Sequence, residues 1–471
     1  MTKRVIRRGS SETTGHRSVR TVLHARPVLL LAFAFAVMAD PVSSVAYAIE
    51  AALRALGGDL ALLMPTMGLV VGLIALVILN YHQIVARYPQ GGGAAAAAGE
   101  AFGEAWAFVP IGALIVDFVL TIAISSAAGA SAIIAYLPAA APWRVALAIG
   151  LTAGVAGLTW FGHLGRAVFA VMTLAFIAVT TAVLVEGAGA PVHAVGTVSH
   201  TAPHTAPLAV ALAFPVAMAL ATGVEAPSSA IAQLGQLDDA GRRRFGRITL
   251  WLTLGIVGSI TLALTAEARH LQTGIPPADR TQISELAHQA APGALYATFQ
   301  LVTALLLLSA ASSSFQAGPG LLKALARHRR ADGSAGAGIL PALWGTTNRH
   351  HTPYWGVLLF LVVSAAVIAA AGGEDQRLVL FYAVSVFMSF LAGLIAMARF
   401  SAAEGKTVRF LINVVGAVAV AFVLVINLAR GEPVVSLVAA LLIAALLYRL
   451  WVRAGRPRGV REVAAEAGHG G

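Results

Sequence analysis

Long apolar runs separated by short polar segments form the dominant pattern along this chain. A helix needs about 20 residues to cross the roughly 30 Å hydrocarbon core of a bilayer, so each such run predicts one membrane crossing. We predict twelve spans, numbered 1 to 12 in chain order, at residues 28–53, 60–80, 104–136, 144–162, 166–186, 207–233, 248–266, 293–322, 355–371, 378–398, 409–429 and 434–452. The pattern predicts an all-α polytopic membrane protein.

Basic residues fall mainly on one side of these spans. With a cytoplasmic N-terminus, all but six of the 32 lysine and arginine residues lie in the tails and loops of the cytoplasmic side. The six others are Arg54, Arg144, Arg269, Arg280, Arg377 and Arg430. Because cytoplasmic loops carry an excess of Lys and Arg, both the N- and the C-terminus are predicted to be cytoplasmic.

Composition adds limits on partners and chemistry. The chain has 471 residues, of which 58% are hydrophobic and 11% charged, more apolar than a soluble domain needs. The net charge of +11 follows from the topology, so we expect a lipid bilayer partner in the cell membrane and no nucleic acid. The absence of cysteine excludes disulfides and thiol ligands. No cofactor is expected, and a homodimer is compatible with the sequence.

One carboxylate stands far from either end of span 1, in the segment Asp-Pro-Val-Ser-Ser at residues 40–44. An ionised Asp at the centre of a bilayer helix costs about 3 kcal/mol, so such a residue usually lines a cavity or an ion pathway. Pro41 removes a backbone donor and opens the helix beside the acid. A broken helix that carries a buried acid indicates a transporter site.

Span 6 repeats this arrangement as Glu-Ala-Pro-Ser-Ser at residues 225–229. Matching breaks five spans apart are typical of two inverted five-helix repeats, so we predict that spans 1 and 6 are both broken. The predicted organisation is a basic cytoplasmic tail at 1–27, a first repeat at 28–186, a second repeat at 207–398, peripheral spans at 409–452 and a short cytoplasmic tail at 453–471.

Span 3 supplies a third acid at the head of a polar stripe. Asp117, Thr121 and Ser125 are spaced at i, i+4 and i+8, which places them on one face of a helix. Asp40 and Tyr47 likewise share a face of span 1, Thr222 and Glu225 lie one turn apart on span 6, and Tyr382 is the suggestive polar residue of span 10.

All of these side chains offer hard oxygen ligands, which suit alkali or alkaline-earth cations. Three carboxylates in one cavity cannot all stay ionised without cations between them, so at least one is expected to exchange protons near neutral pH. Cation binding and protonation are therefore coupled, as in a cation and proton symporter. The chain contains no P-loop, nucleophile elbow, metalloprotease helix or Thr-Val-Gly-Tyr-Gly filter, which disfavours an enzyme or a channel.

Five segments together resemble a known family: Asp-Pro-Val-Ser-Ser-Val-Ala-Tyr from residue 40, Tyr-Pro-Gln-Gly-Gly-Gly from 88, Asp-Phe-Val-Leu-Thr-Ile-Ala-Ile-Ser from 117, Ala-Thr-Gly-Val-Glu from 221 and Leu-Phe-Tyr-Ala-Val-Ser-Val-Phe-Met-Ser-Phe from 380. Over roughly residues 28–452 the chain resembles the amino acid, polyamine and organocation superfamily, and within it the KimA-type potassium importers. The resemblance implies a LeuT-like fold with a 5+5 inverted repeat and broken helices 1 and 6.

The resemblance also implies a potassium path lined by Asp40, Tyr47, Asp117, Thr121, Ser125, Thr222, Glu225 and Tyr382. Glu225 corresponds to the proton-linked carboxylate, while Asp117 and Asp40 remain candidates for that role. Phe118 departs from the family, where a tyrosine often follows the span 3 acid. Relatives of this type also carry a regulatory C-terminal cytoplasmic domain, which we do not expect here.

An amino acid or cationic amine permease on the same fold is the main alternative. Permeases that bind a carboxylate have a glycine-rich break in span 1, and the carboxylate of Asp40 would repel such a substrate. A cationic amine is not excluded by this argument. The sequence therefore favours import of potassium coupled to protons, with an organic substrate as the alternative.

Overall fold

Helices make up nearly all of the regular structure in the computed structural model, which describes residues 26–162, 165–201, 203–329 and 335–457. The helices are α1 (Arg26–Val37), α2 (Ala39–Ser43), α3 (Val45–Ala55), α4 (Leu60–Arg87), α5 (Gly93–Phe102), α6 (Phe108–Tyr136), α7 (Arg144–Trp160), α8 (Arg166–Gly187), α9 (Ala206–Ala217), α10 (Ala226–Ala230), α11 (Asp239–His270), α12 (Gln282–Ala290), α13 (Ala294–Ala326), α14 (Tyr354–Ala370), α15 (Asp375–Ala403), α16 (Thr407–Ala429) and α17 (Val434–Arg453).

Short 3₁₀ turns extend several of these helices. They cover Glu104–Ala107, Pro138–Trp143, Met218–Ala221, Ile231–Gln233 and Ala342–Gly345. Two three-residue strands, β1 (Arg327–Arg329) and β2 (Ala335–Ala337), form an antiparallel pair after α13.

Local chemistry fixes several helix starts. The side chain of Asp59 accepts a hydrogen bond from the backbone N–H of Ala61 at 2.9 Å and caps α4. Asp238 caps α11 in the same way through the N–H of Gly241, also at 2.9 Å. These side chains satisfy backbone donors that have no partner inside a helix, and therefore define where the two long helices begin.

Ten helical segments among the described residues are long and apolar enough to cross a membrane. Pro27–Val37 and Tyr354–Ala370 are shorter apolar helices. These segments fall in the predicted spans, and the all-α polytopic class is confirmed. The exact number of twelve crossings and the boundaries of the two repeats stay predictions.

Helix α6, which contains span 3, lies at the centre of the bundle. It packs against α13, α15 and α17, and most of its side chains are buried. In contrast, α16 and α17 present apolar side chains outward, including Val418 at 66% exposure and Leu442 at 65%. An apolar outer surface around a polar-striped central helix is the distribution that a lipid solvent favours.

Three elements were not predicted from the sequence. Helix α5 begins at the end of the glycine run at residues 91–93, and this run and the alanines of α5 are buried. The short helix α12 and the β1–β2 pair also lie between predicted spans. Five consecutive alanines at 94–98 favour this helix, and its packing against α15 explains why it is buried.

Candidate functional site

The first span is divided at the acid that the sequence singled out. Helix α1 ends at Val37 and α3 begins at Val45, with the five-residue helix α2 between them. Pro41 donates no backbone hydrogen bond, whereas the Ser43 hydroxyl donates to the Asp40 carbonyl at 2.7 Å. The Asp40 carbonyl also accepts from the backbone N–H of Ser44 at 3.3 Å, so helical hydrogen bonds continue through this point of span 1.

The sixth span is interrupted more strongly. Thr222 is extended, with φ −54° and ψ 133°, and Gly223 follows with φ +70°. Beyond this point the Ser228 hydroxyl donates to the Glu225 carbonyl at 2.7 Å. In both spans an acid is thus followed, three residues later, by a serine that bonds its carbonyl oxygen.

Gly223 lies where the interruption of span 6 meets the interruption of span 1. A Cβ atom built on Gly223 would lie 2.6 Å from Asp40 Oδ2 and 2.7 Å from Asp40 Cγ, closer than real Cβ atoms approach any group. The positive φ of Gly223 is also strained for other residues. Only glycine therefore allows the carboxylate of span 1 to lie against the backbone of span 6. The sequence analysis did not single out this residue.

Three carboxylates lie within electrostatic range of one another. Asp40 and Glu225 each interact with Asp117, and Glu225 also interacts with Asp40. Asp117 is 4% exposed and Glu225 is 7% exposed. Asp40 Oδ1 and Glu225 Oε2 are buried and have no hydrogen-bond partner among the described residues, and neither acid has an ion pair there. Buried carboxylate oxygens of this kind need a proton or a cation.

Hydroxyl groups complete the surroundings of these acids. The Tyr47 hydroxyl donates to Ser44 Oγ at 3.0 Å and lies within hydrogen-bonding reach of Thr222, so it links spans 1 and 6. Tyr81 of α4, which was not predicted as a site residue, is 1% exposed and interacts electrostatically with Glu225. The phenol ring of Tyr81 packs edge-on against Phe390, with 5.9 Å between ring centroids.

The span 3 stripe is buried, with Thr121 2% exposed and Ser125 1% exposed. Eight residues of helix rise about 12 Å, so Asp117 and Ser125 are far apart along α6. Two oxygen ligands of one hard cation lie within about 6 Å of each other. Asp117 and Ser125 therefore cannot bind the same ion at the same moment. The stripe is better suited to successive ion positions along the helix than to a single coordination shell that uses all three side chains.

One predicted residue cannot be placed in this arrangement. The backbone of Tyr382 lies within α15, but its side chain lies outside the described part of the structure. Its proposed contact with the cation stays a prediction. Within the described residues, no group of three or more His, Cys, Asp or Glu side chains converges in a way that could hold a metal ion. Any cation here would depend on hydroxyl and backbone oxygens beside one or two carboxylates.

A second polar cluster closes the far end of span 1. Glu50, 3% exposed, accepts a hydrogen bond from Arg54 Nε at 2.8 Å and from the backbone N–H of Gln282 at 2.9 Å. The buried Asp375 accepts from Ser131 Oγ at 2.7 Å. Sequence reasoning missed both acids because they stand near predicted span ends, where charges are common. Because both acids already have hydrogen-bond or ion-pair partners, these contacts indicate a structural role at this end of span 1 rather than an ion site.

The opposite end is closed by the glycine run and by ion pairs. A Cβ on Gly93 would lie 3.0 Å from Ser228 Oγ, so this loop packs directly on the interrupted sixth span. Gln90 donates to Asp239 at 2.6 Å and accepts from Arg242 at 2.5 Å. Polar contacts thus lie at both of these places in the bundle.

These features define a class of protein: a polytopic membrane protein with carboxylates of spans 1, 3 and 6 inside its helical bundle, as in secondary transporters. The family model for amino acid permeases matches residues 29–452, and the chain belongs to this family. The resemblance inferred from the sequence motifs is thereby confirmed.

Individual relatives and solved structures are also similar to the chain. It is 30% identical over 368 residues to the potassium transporter KimA of Bacillus subtilis, a match that covers 74% of this chain and 58% of KimA. The chain therefore matches less than two thirds of that relative's length. A crystal structure of a mutant of the Eremococcus coleocola manganese transporter is 15% identical, with a TM-score of 0.48, covering 94% of this chain and 96% of that chain. The complex of the same transporter with an aromatic bis-isothiourea compound has a TM-score of 0.49 at 14% identity, covering 91% of this chain and 95% of that chain.

Proposed function

We propose that the protein imports potassium across the cell membrane together with protons. The observation that carries this proposal is the pair of buried, unpartnered oxygens Asp40 Oδ1 and Glu225 Oε2, in a cluster where no basic side chain pairs with either acid among the described residues. Similarity to the potassium transporter KimA supports potassium as the ion.

Charge balance gives the coupling its physical basis. A carboxylate that is buried and unpaired is unfavourable, and either a bound cation or a proton removes that cost. Because Asp40, Asp117 and Glu225 interact with one another, occupancy of one acid by a cation changes the proton affinity of the others. The membrane potential then contributes about 2.3 kcal/mol per charge per 100 mV to inward movement.

We assign the predicted path residues to separate ion positions and to the coupled proton. Asp117 and Thr121 form one cation position with Asp40 and Tyr47, and Ser125 belongs to a further position along α6. Thr222 contributes its hydroxyl beside the span 6 interruption, and Tyr382 is assigned by the resemblance alone. Glu225 carries the coupled proton. The predicted path residues are thus distributed over more than one ion position.

Alternating access is proposed to use the interrupted helices. Gly223 and the glycines at 91–93 have positive φ values and stand at the junctions between spans. Polar contacts of modest strength close both ends, since Gln90, Asp239 and Arg242 at one end are largely exposed or half-buried. We infer that this end opens toward the cytoplasm, with both termini on the same side, in keeping with the distribution of basic residues.

A cationic amine or amino acid permease is the second candidate, because the matching family model is that of amino acid permeases. The contact of Asp40 with Gly223 argues against a substrate carboxylate at the break, since the backbone there already faces an acid. A cationic amine would satisfy the same carboxylates as potassium. The two candidates therefore differ in the size of the ligand rather than in its charge.

Growth rescue separates the candidates. We expect the protein to support growth of a potassium-uptake-deficient bacterium at limiting potassium, and an uncoupler that dissipates the proton gradient should abolish this growth. Labelled lysine and putrescine uptake should stay at the background of the empty vector. Absence of rescue despite confirmed membrane expression, together with labelled amine uptake, would overturn the potassium proposal in favour of the permease.

A further inference from the structure

A groove of about 840 Å³ lies at the basic end of the bundle, between the end of α4 and the beginning of α11. It is separate from the carboxylate cluster and from the contacts that close the pathway. Its polar lining is basic or aromatic throughout, and consists of His82, Arg243, Arg244, Arg247 and Trp251. No acidic side chain lines the groove, so its charge is uncompensated within the described residues.

Three arginines of this groove make no polar contact among the described residues. Arg242, one residue before them, donates to the Leu234 carbonyl at 3.1 Å and pairs with Gln90, which gives it a structural function. Arg243, Arg244 and Arg247 have no ion pair or side-chain hydrogen bond among the described residues, and Arg247 Nε is buried without a partner. A buried guanidinium donor without an acceptor indicates a missing anionic group.

The other wall of the groove is apolar and exposed. Trp251 is 42% exposed and Ile248 is 36% exposed, although both lie on a helix that enters the membrane. The Trp251 indole N–H donates to His82 Nδ1 at 3.2 Å, which fixes the ring at this wall. Tryptophan with one polar edge and one apolar face is typical of the level where headgroups meet acyl chains.

We propose that this groove binds the headgroup of an anionic phospholipid, with an acyl chain along Trp251 and Ile248. The phosphate accepts from Arg247 and from the exposed arginines at 243 and 244. Arg409, at the start of α16, interacts electrostatically with His82 and adds a further positive charge nearby. A soluble anion would satisfy the arginines but would leave the apolar wall uncovered, so the combined chemistry favours a lipid. The site rests on the membrane position of α4 and α11 and not on potassium as substrate.

Native mass spectrometry of the full chain in neutral detergent tests this assignment. Phosphatidylglycerol, phosphatidylcholine and glycerophosphoglycerol, which is the phosphatidylglycerol headgroup without acyl chains, are titrated in parallel. The test variant is R243Q/R244Q, and the control R449Q/R453Q removes the same charge from exposed arginines at the end of α17. We expect the test variant to lose about 25-fold in phosphatidylglycerol affinity, since each basic residue near the site contributes roughly fivefold, and the control to lose less than about twofold.

A second variant, R243K/R244K, keeps the charge and is expected to retain phosphatidylglycerol binding within about twofold. It also separates a lost site from a misfolded protein, because both arginines are exposed and the lysine chain is as long. Equal losses in the test and control variants would overturn the site, since they would reflect general surface charge. Binding of glycerophosphoglycerol as tight as that of phosphatidylglycerol would overturn the lipid and indicate a soluble phosphate ligand instead.

Discussion

Gly223→Ala is the smallest change that tests the contact between the interruptions of spans 1 and 6. The new Cβ would lie 2.6 Å from Asp40 Oδ2, and the φ of +70° is unfavourable for an L-residue. The left-handed conformation costs about 1–2 kcal/mol and overpacking about 1–3 kcal/mol, a combined strain of about 2–5 kcal/mol. The protein relieves this strain by moving the Asp40 carboxylate or the Thr222–Glu225 segment, and either movement disrupts the carboxylate cluster.

We expect potassium uptake by Gly223→Ala to fall by at least about tenfold, because about 1.4 kcal/mol of lost stabilisation already has that effect on a rate. Uptake is measured as cellular potassium in a bacterium that lacks other potassium uptake, with membrane expression quantified in parallel. Gly235→Ala is the matched control, since a Cβ at Gly235 meets nothing within 4 Å and its φ is not positive. If both variants transported at the same rate and unfolded at the same temperature, the Asp40–Gly223 contact could not belong to the working protein.

Three further changes test separate contacts. Tyr47→Phe removes the donor to Ser44, and is expected to lower the free energy of unfolding by about 1 kcal/mol and to weaken the apparent potassium affinity. Asn413→Ala removes the carboxamide that binds spans 2 and 11, and should lower unfolding stability by about 1–3 kcal/mol without changing uptake per folded molecule. Hydrogen bonds from Lys406 and then from Arg87 hold the pKa of Glu404 below its usual value. Glu404→Gln should therefore remove part of the acid-induced loss of stability, by less than about 1 kcal/mol because the pair is exposed.

Each of these outcomes has a direct check. Thermal unfolding in detergent measures the stability changes of Tyr47→Phe and Asn413→Ala. If Tyr47→Phe left both stability and potassium affinity unchanged, Tyr47 would not belong to the site. Because the pKa of Glu404 is lowered in the folded protein, its stabilisation is complete at neutral pH and is lost as the pH falls through that value. Because an unfolded Glu titrates near about pH 4.3, the loss falls between about pH 5 and about pH 2, and identical stability profiles for Glu404→Gln and the parent protein over that range would contradict this contribution.

The acids of the cluster could be predicted from sequence because a carboxylate inside an apolar run is costly and therefore rare. The correspondence of Asp40 with Glu225 was visible for the same reason, since each is followed by proline and two serines. The all-helical fold followed from the length of the apolar runs. Each of these patterns involves residues that are close together in the sequence, so one sequence is enough to recognise it.

Other parts of the site depend on contacts between distant segments. Gly223 lies in the sequence among several helix-breaking residues, and its special role appears only when Asp40 is placed against it. Tyr81 lies one residue beyond predicted span 2, between the polar residues Asn80 and His82, and nothing in this position indicates that it approaches Glu225. The buried glycine run at 91–93 has the composition of a solvated loop. In each case tertiary packing overrides local propensity.

Coupled transport by the purified protein tests the central claim most directly. Proteoliposomes with a pH-sensitive dye inside receive a potassium gradient, and potassium entry and internal acidification are recorded together. We predict that both signals occur in the parent protein and that Asp117→Asn and Glu225→Gln each abolish potassium entry while reconstituting normally. Potassium entry without acidification would contradict proton coupling, and parental potassium entry in both variants would contradict the assignment of the buried carboxylates as the transport site.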